Sequence, residues 1–542
     1  MKAQSLPFSQ IPHTTKLFLD FLEYAPGVHE FYPHPARFDQ WFIQEASAIR
    51  YDSARRAPVC AILERQCRQW GASDAALKNV ERLRNGASAI VTGQQVSLFG
   101  GPAFCLYKAL TAIKLAEYAS AVGVDCVPIF WLATYDHDLA EVNHVSLPGP
   151  DGLLQTLTTS THASQATQVG AVHFGEEITP PVDQAAALLG EAGASKAVEW
   201  LRECYRPGET FGTAFAKLYA RLFAEWGVIV LDASDPELHQ VAQPVYAAAI
   251  ERADELTAAL LARGQALESG GYHQQVKVTE SSVLLFTTSD GARTAVHKRK
   301  AGGNSEFVIG QSEALSREQM LAQVSSDPAR FSPNVLLRPI VQDFLLPTLA
   351  YVGGAAEVAY FAQAGAIYEK LAGRVTPVLP RFSATLIEPK TQRVLEKKNL
   401  SITDAFAGPD ALRRELESRS LPADLLSAFD DAAQSMSTHM SAIQQKIALL
   451  DQTLVDAVQT AASKTQYQLQ KLQAQAARAQ AQKSELIGRY AESLSQALYP
   501  NRGLQERTLG AIYFIARYGP ELLQQLCDAI PTDSHDHHLI QL

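Results

Sequence analysis

Residues 87–138, ASAIVTGQQVSLFGGPAFCLYKALTAIKLAEYASAVGVDCVPIFWLATYDHD, place a short apolar run on each side of a long amphipathic stretch. ASAIVTG and VDCVPIFWLA have the length and composition of buried strands, and the Gly-Gly-Pro turn at 100–102 opens a helix between them. Strand, helix, strand implies two parallel strands joined by a crossover, and such strands need helices over the sheet. A large part of the chain is therefore expected to be an α/β core.

Length and composition agree with that expectation. The 542 residues exceed one ordinary domain, and 47% hydrophobic with 19% charged residues excludes a mainly disordered chain. A net charge of −10 lacks the basic surplus of nucleic-acid binders. Six cysteines, at 60, 67, 105, 126, 204 and 527, form no CxxC pair, which suits a reducing compartment, so the cytoplasm is expected. The N-terminal residues lack the apolar stretch of a secretory signal, and no apolar run nears 18 residues, so neither export nor a membrane span is expected.

Residues 15–85 read as helices, and segment 1–86 is expected to pack on a core over 87–385 with insertions near 148–207 and 270–330. Within that core FAKLYARLFAEWG reads as a helix and VIVLDASDP as a strand. VKVTESSVLLFTTSDGARTAVHKRK suggests antiparallel strands. NVLLRPIVQD reads as a strand, EVAYFAQAGAIYEKLA as a helix, and VTPVLPRFSATLIE as the last extended segment. Between Pro422 and Pro500 there is no proline and one glycine, Gly488, and apolar residues recur in steps of three and four from Ile443 through Leu450, Leu454, Val458, Leu469 and Leu472. That seam predicts long packed helices over 386–499, as one rod or as a hairpin capped by Asp451, with 500–542 returning to the core.

Ligands in open α/β sheets sit at the carboxyl ends of strands, so polar residues there are the first candidates. Gly93, Gln94 and Gln95 end the first strand, and backbone N–H groups at Gly100 and Gly101, with Lys108 farther along the helix, are suited to an anion unless the glycines only make a tight turn. After the second strand come Asp136, His137 and Asp138. On a helix His137, Glu141 and His144 would share one face, as an acid/base pair, as metal ligands, or as plain surface groups beside capping aspartates. No cysteine or second histidine cluster completes a metal site, and none is assigned. Arg338, Gln342 and Asp343 follow NVLL, and Gly353, Gly354, Glu357 and Tyr360 follow PTLAYV. An arginine there could grip a carboxylate or phosphate, or belong to a structural ion pair. Arg381, Ser383 and Thr385 could contact phosphate, and Cys105 is either a reactive thiol or a small buried hydrophobe.

Taken in order, VTGQQVSLFGGPAFCLYKALTAIKLA, VPIFWLATYDHDLAEVNHV, FSPNVLLRPIVQDFLLPTLAYVGGAAEVAY, VLPRFSATLIEP and YPNRGLQER resemble the BshC family, the cysteine ligases of bacillithiol biosynthesis, over essentially the whole chain. Phe382 and Ala355 depart from the prolines usual in that family, outside the strongest polar positions. The resemblance implies an α/β fold: a Rossmann-like parallel-sheet core with connecting-peptide insertions, similar in plan to class I aminoacyl-tRNA synthetases and nucleotidylyltransferases, plus a long α-helical coiled-coil domain. It implies condensation of L-cysteine with the amine of glucosaminyl malate, giving bacillithiol.

A free carboxylate is a poor acyl donor, so the chemistry calls for activation, as by ATP, followed by attack of a neutral amine. Whether ATP is consumed, or ATP or ADP only binds, stays open at this level. By strand-end position, Gly100, Gly101, Lys108, Arg338 and Arg381 are assigned to stabilising anions, and Asp136, His137, Asp138 and Glu357 to the amine and its proton. A homodimer through the coiled coil is expected, without nucleic-acid or membrane partners. The rival readings are a nucleotidylyltransferase-like enzyme on another small substrate and a non-catalytic coiled-coil scaffold.

Overall fold

The computed structural model describes residues 2–161, 167–190, 196–289, 291–301, 304–419, 421–482 and 485–542, so parts of the 148–207 and 270–330 stretches lie outside the described residues. The chain forms two compact units: Met1–Gly149 with Leu154–Thr385 and Glu506–Ile540, and Pro150–Leu153 with Leu386–Gln505 and Gln541–Leu542.

The first unit is built on five parallel strands, in spatial order Val378–Pro380, Thr348–Gly353, Ser88–Gln94, Cys126–Leu132 and Ile229–Asp232. Side chains alternate between the faces, as the period of two requires. Ala89 and Val91 join a cluster with Ile129 and Val358, while Ile90 joins Ala112, Ala116 and Leu349 on the other side. The helix Ala103–Ala121, which follows the first strand in sequence, covers one face, and Ala355–Leu371, which follows the fourth, covers the other. Because these two strands are neighbours, their helices depart in opposite directions and leave a crevice at the carboxyl ends.

The segment NVLLRPIVQD is not the strand that its apolar run suggests. Phe331–Pro333 is a short strand, and Arg338–Leu345 is a helix with Pro339 in its first turn. Asn334 Oδ1 accepts the N–H groups of Leu336 and Leu337 at 3.0 Å each, turning the chain into that helix. The parallel strand comes one step later, at Thr348–Gly353. Phe331–Pro333 instead joins Ser282–Ser289, Ala292–Ala301 and Asn304–Ile309 in a separate antiparallel sheet. A three-stranded sheet also forms from Lys2–Leu6, His537–Gln541 and Ser383–Ile387, in that order.

In the second unit, helices Ala423–Leu450 and Val455–Gln482 pack on each other as a hairpin. Asp451 Oδ1 accepts from the Thr453 N–H at 2.8 Å and hydroxyl at 2.7 Å, so the connection is a capped turn and the single rod is ruled out. Among the described residues no helix is long and apolar enough to cross a membrane.

Candidate active site

The Ser88–Gln94 strand approaches its neighbour so closely near its end that a Cβ on Gly93 would stand 2.8 Å from the Trp131 carbonyl oxygen. Glycine is required there, and the Gly93 carbonyl accepts from Lys108 Nζ at 2.8 Å. Gln94 Oε1 accepts from the same ammonium, also at 2.8 Å, and Glu357 completes its surroundings as an ion pair. Glu357 lies in the first turn of the Ala355–Leu371 helix and accepts the Gly354 N–H at 2.8 Å and the Tyr351 hydroxyl at 2.6 Å. Burial alone would raise the Glu357 pKa, but Lys108, Tyr351 and the Gly354 N–H outweigh it and hold the carboxyl below its usual range.

Above these strand ends opens a cavity of about 660 Å3, the size of a small-molecule site. One wall carries Gly93, Gln94, Gln95, Lys108 and Asp136, and another Gly354, Glu357 and Arg381. Phe286 and Arg293 of the antiparallel sheet and Arg338 close it. Gln95 Nε2 donates to Asp136 Oδ2 at 2.7 Å, which fixes that carboxylate at the rim. Arg293 lies over the Phe286 ring, 3.8 Å from its centroid, and donates to Ser332 Oγ and the Pro333 carbonyl at 3.0 Å each. Arg338 donates to Gln342 Oε1 at 3.0 Å and to the Tyr360 hydroxyl at 2.8 Å. Both arginines are buried, yet among the described residues neither has a carboxylate at ion-pair distance. The buried Trp131 Nε1 and Tyr135 hydroxyl, on the same lining, lie near each other but make no hydrogen bond of ordinary geometry among the described residues. Two uncompensated guanidiniums and two unmatched polar atoms mark a site that an anionic, polar ligand would satisfy.

Of the sequence candidates, Gly93, Gln94, Gln95, Lys108, Asp136, Arg338, Gly354, Glu357 and Arg381 line this one cavity. The anion role for Gly100 and Gly101 does not survive. The Gly100 N–H donates to the Tyr205 hydroxyl at 3.1 Å and the Gly101 N–H to the Leu98 carbonyl at 3.0 Å, while Gly100, at φ +84°, packs on Leu218 and Tyr219. The helix start behind them is covered as well, because the Ala103 N–H donates to the Leu509 carbonyl at 2.9 Å.

Nor do His137, Glu141 and His144 share a helical face. The helix there is only Leu139–Val142, and His144 already begins a strand. Asp138 caps that turn through Glu141 N–H, and His137 is exposed, outside the cavity lining. Gln342 and Asp343 stand behind Arg338: Asp343 accepts from the Tyr368 hydroxyl at 2.7 Å and from Thr376. Ser383 is buried against Glu506 and His537. Cys105 is fully enclosed, and burial pushes its thiol up to about 12, so it is the small buried hydrophobe.

A family model described as "Bacillithiol biosynthesis BshC, N-terminal Rossmann-like domain" matches residues 1–382, and one described as "Bacillithiol biosynthesis BshC, C-terminal coiled-coil domain" matches residues 384–542. The chain belongs to the BshC family. Its BshC relatives include proteins named "Putative cysteine ligase BshC" from Koribacter versatilis (strain Ellin345), 45% identical over 99% of both chains, and from Solibacter usitatus (strain Ellin6076), 35% identical over 98% of both. A protein of the same name from Geobacillus thermodenitrificans (strain NG80-2) is 29% identical over 100% of this chain and 99% of its own.

The cavity falls within the BshC Rossmann-like match except for Arg507, which the second match contributes. Arg293, Tyr135 and Tyr351 also line this BshC cavity and were not among the sequence candidates. Arg293 carried a signal: Arg293, Ala295 and His297 alternate along one strand, and all three face the site. Nothing local in YPNRGLQER showed that Glu506 would be buried against Arg381.

Proposed function

We propose that this BshC-family chain joins the carboxyl group of L-cysteine to the amine of glucosaminyl malate, forming the amide bond of bacillithiol. The observation that carries the substrate assignment is the pair of buried guanidiniums, Arg293 and Arg338, without carboxylate partners in one cavity. A malate group brings two carboxylates, which charge-assisted bonds from two arginines would hold. Asp136 is the cavity carboxylate left to take the amine and its proton, because Glu357 is already committed to Lys108, Tyr351 and its own helix.

The residues also fit a nucleotide, though not at the first strand-to-helix turn, whose N–H groups are used. Ala355 and Ala356, at the start of a 17-residue helix whose Gly354 N–H is taken by Glu357, line the cavity with Arg381 beside them, and that guanidinium is the group suited to phosphate. A bound nucleoside triphosphate would supply the activation that a free carboxylate lacks. With such a group bound, one carboxylate oxygen of cysteine would leave on it as the sugar nitrogen forms the new C–N bond, and the nitrogen's proton would pass to Asp136. Arg381 stabilises the negative charge that builds on the acyl oxygen, while Lys108, whose three donors go to Gly93, Gln94 and Glu357, holds the floor of the site.

The proposal extends to a homodimer through the helical hairpin. Leu449, Leu450, Tyr467 and Leu472 stay exposed on a hairpin that covers only part of its apolar seam. Six free, buried cysteines agree with a cytoplasmic setting.

Incubating the protein with L-cysteine and glucosaminyl malate, with and without ATP, and following products by mass spectrometry tests this reading. Bacillithiol is the expected product. A nucleotide adduct of another substrate would favour a nucleotidylyltransferase, and no product under any condition would favour the scaffold.

A further inference from the structure

The chain leaves the first unit at Thr385 and re-enters it at Glu506, and residues from both sides of that break meet at the cavity wall. Arg381 Nη2 donates to Glu506 Oε1 at 2.5 Å and Nη1 to the Phe382 carbonyl at 2.8 Å. Its guanidinium stands 5.4 Å from the Phe104 ring centroid, and its Nε is 3.5 Å from where a Cβ on Gly354 would be. The direction of Arg381 in the cavity is thus set by Glu506 on one side and the start of the Ala355–Leu371 helix on the other.

Glu506 is wholly buried and held at both oxygens. Oε1 also accepts from the Ser383 hydroxyl at 3.0 Å, and Oε2 accepts the Ala384 N–H at 2.9 Å. Behind it His537, also wholly buried, lies 2.7 Å by Nδ1 from Ser383 Oγ and 2.9 Å by Nε2 from Thr385 Oγ1. Since Ser383 spends its proton on Glu506, its oxygen accepts from His537 Nδ1–H, and Nε2 accepts from the Thr385 hydroxyl. Every member of this chain of bonds has a partner, and among the described residues the cation paired with it is Arg381.

We propose that Glu506, held by Ser383, which His537 orients in turn, is a positioning residue that fixes the Arg381 guanidinium toward the cavity, so that the segment returning after the helical unit completes the site. A buried ion pair adds little stability over an apolar pair of the same shape, so a merely structural contact would not require charge here. A guanidinium that must meet an anion in one orientation does require it. The inference rests on the reading of Arg381 as an anion-holding group of the ligase.

Two measurements on the full-length protein separate the ideas. In the first, phenylglyoxal modification of individual arginines is followed by peptide mass spectrometry in wild type and Glu506→Gln. Arg381 is expected to react several-fold faster in the variant while Arg293 and Arg338 keep their wild-type rates; an unchanged Arg381 rate overturns the proposal. Ser383→Ala and His537→Gln, which loosen the hold on Glu506 without altering its charge, should shift Arg381 in the same direction and serve if Glu506→Gln does not fold.

In the second, KM and kcat for amide formation are compared in Glu506→Gln, Arg381→Ala and the double variant. Each single variant should lose about tenfold or more in kcat/KM, and the double should be no worse than Arg381→Ala. Losses that multiply in the double variant overturn positioning through Arg381. Wild-type kinetics in Arg381→Ala would instead remove the anion-holding reading, while the labelling contrast alone still decides whether Glu506 fixes Arg381.

Discussion

Lys108 and Glu357 come from helices on opposite faces of the sheet, and their side chains form an ion pair over the ends of the two neighbouring strands from which those helices depart. The pair ties the two halves of the crevice together at the cavity floor. Removing one partner leaves the other charge uncompensated in a largely buried place. Lys108→Met is therefore expected to lower stability by about 3–5 kcal/mol in urea unfolding, and adding Glu357→Gln should recover most of that loss. Additive losses in the double variant would show that the two groups are not coupled.

Arg293→Met and Arg338→Lys should raise KM for glucosaminyl malate by about 10–100-fold with little change in kcat, the pattern of lost ground-state binding. Lysine at 338 keeps the charge but cannot reach Gln342 and Tyr360 together as the guanidinium does. Steady-state kinetics with the sugar substrate varied checks this; an effect confined to the KM for cysteine would move the arginines to the other substrate.

Asp136 and His137 are adjacent in sequence and differ in place. Asp136→Asn is expected to lower kcat by about 10²–10⁴-fold, as loss of a proton acceptor does, whereas His137→Ala should turn over as wild type does. The reverse ranking in a single-turnover assay would return the role to the exposed histidine.

Burial lowers the pKa of both His239 and His537 from 6.5 to about 4, so each is neutral in the folded chain at pH 5 while its unfolded counterpart is protonated. The unfolded state then binds more protons, and stability falls as pH drops from about 6.5 toward 4, by up to about 3 kcal/mol per histidine. Urea unfolding at pH 7 and pH 5 should show the loss, and His537→Gln should reduce the difference between the two pH values. Equal stability at both would contradict neutral burial.

The exposed leucines of the hairpin predict self-association. Light scattering at micromolar concentration should give twice the chain mass, and Leu472→Asp, at a residue 55% exposed, should return it to the monomer. Leu469 lines the groove between the two helices, so Leu469→Asp should loosen the hairpin itself.

The strand-helix-strand segment and the heptad seam were legible in the sequence because each is a local pattern: runs of apolar residues, Gly and Pro punctuation, and a period of three and four. Those patterns also identify the strand ends, which is why Gly93, Gln94, Gln95, Lys108, Glu357 and Arg381 are legible in the sequence. NVLLRPIVQD misled because three consecutive apolar residues look alike in a strand and in a buried helix start, and the Asn334 turn that decides between them depends on where the neighbouring sheet lies. Gly100 and Gly101 misled because free N–H groups at a turn are available to a ligand only if no distant side chain has taken them, and Tyr205, 105 residues away, takes one.

What the sequence by itself determined is the strand-helix-strand unit, the helical seam and the family, since these depend on residue type and order along the chain. Only the tertiary structure decided that Arg293 and Arg338 line one cavity, that His137 stays outside it, and that Glu506 returns to grip Arg381. Those are contacts between residues far apart in the chain, and their partners are chosen by how sheets and helices pack rather than by anything in the local sequence.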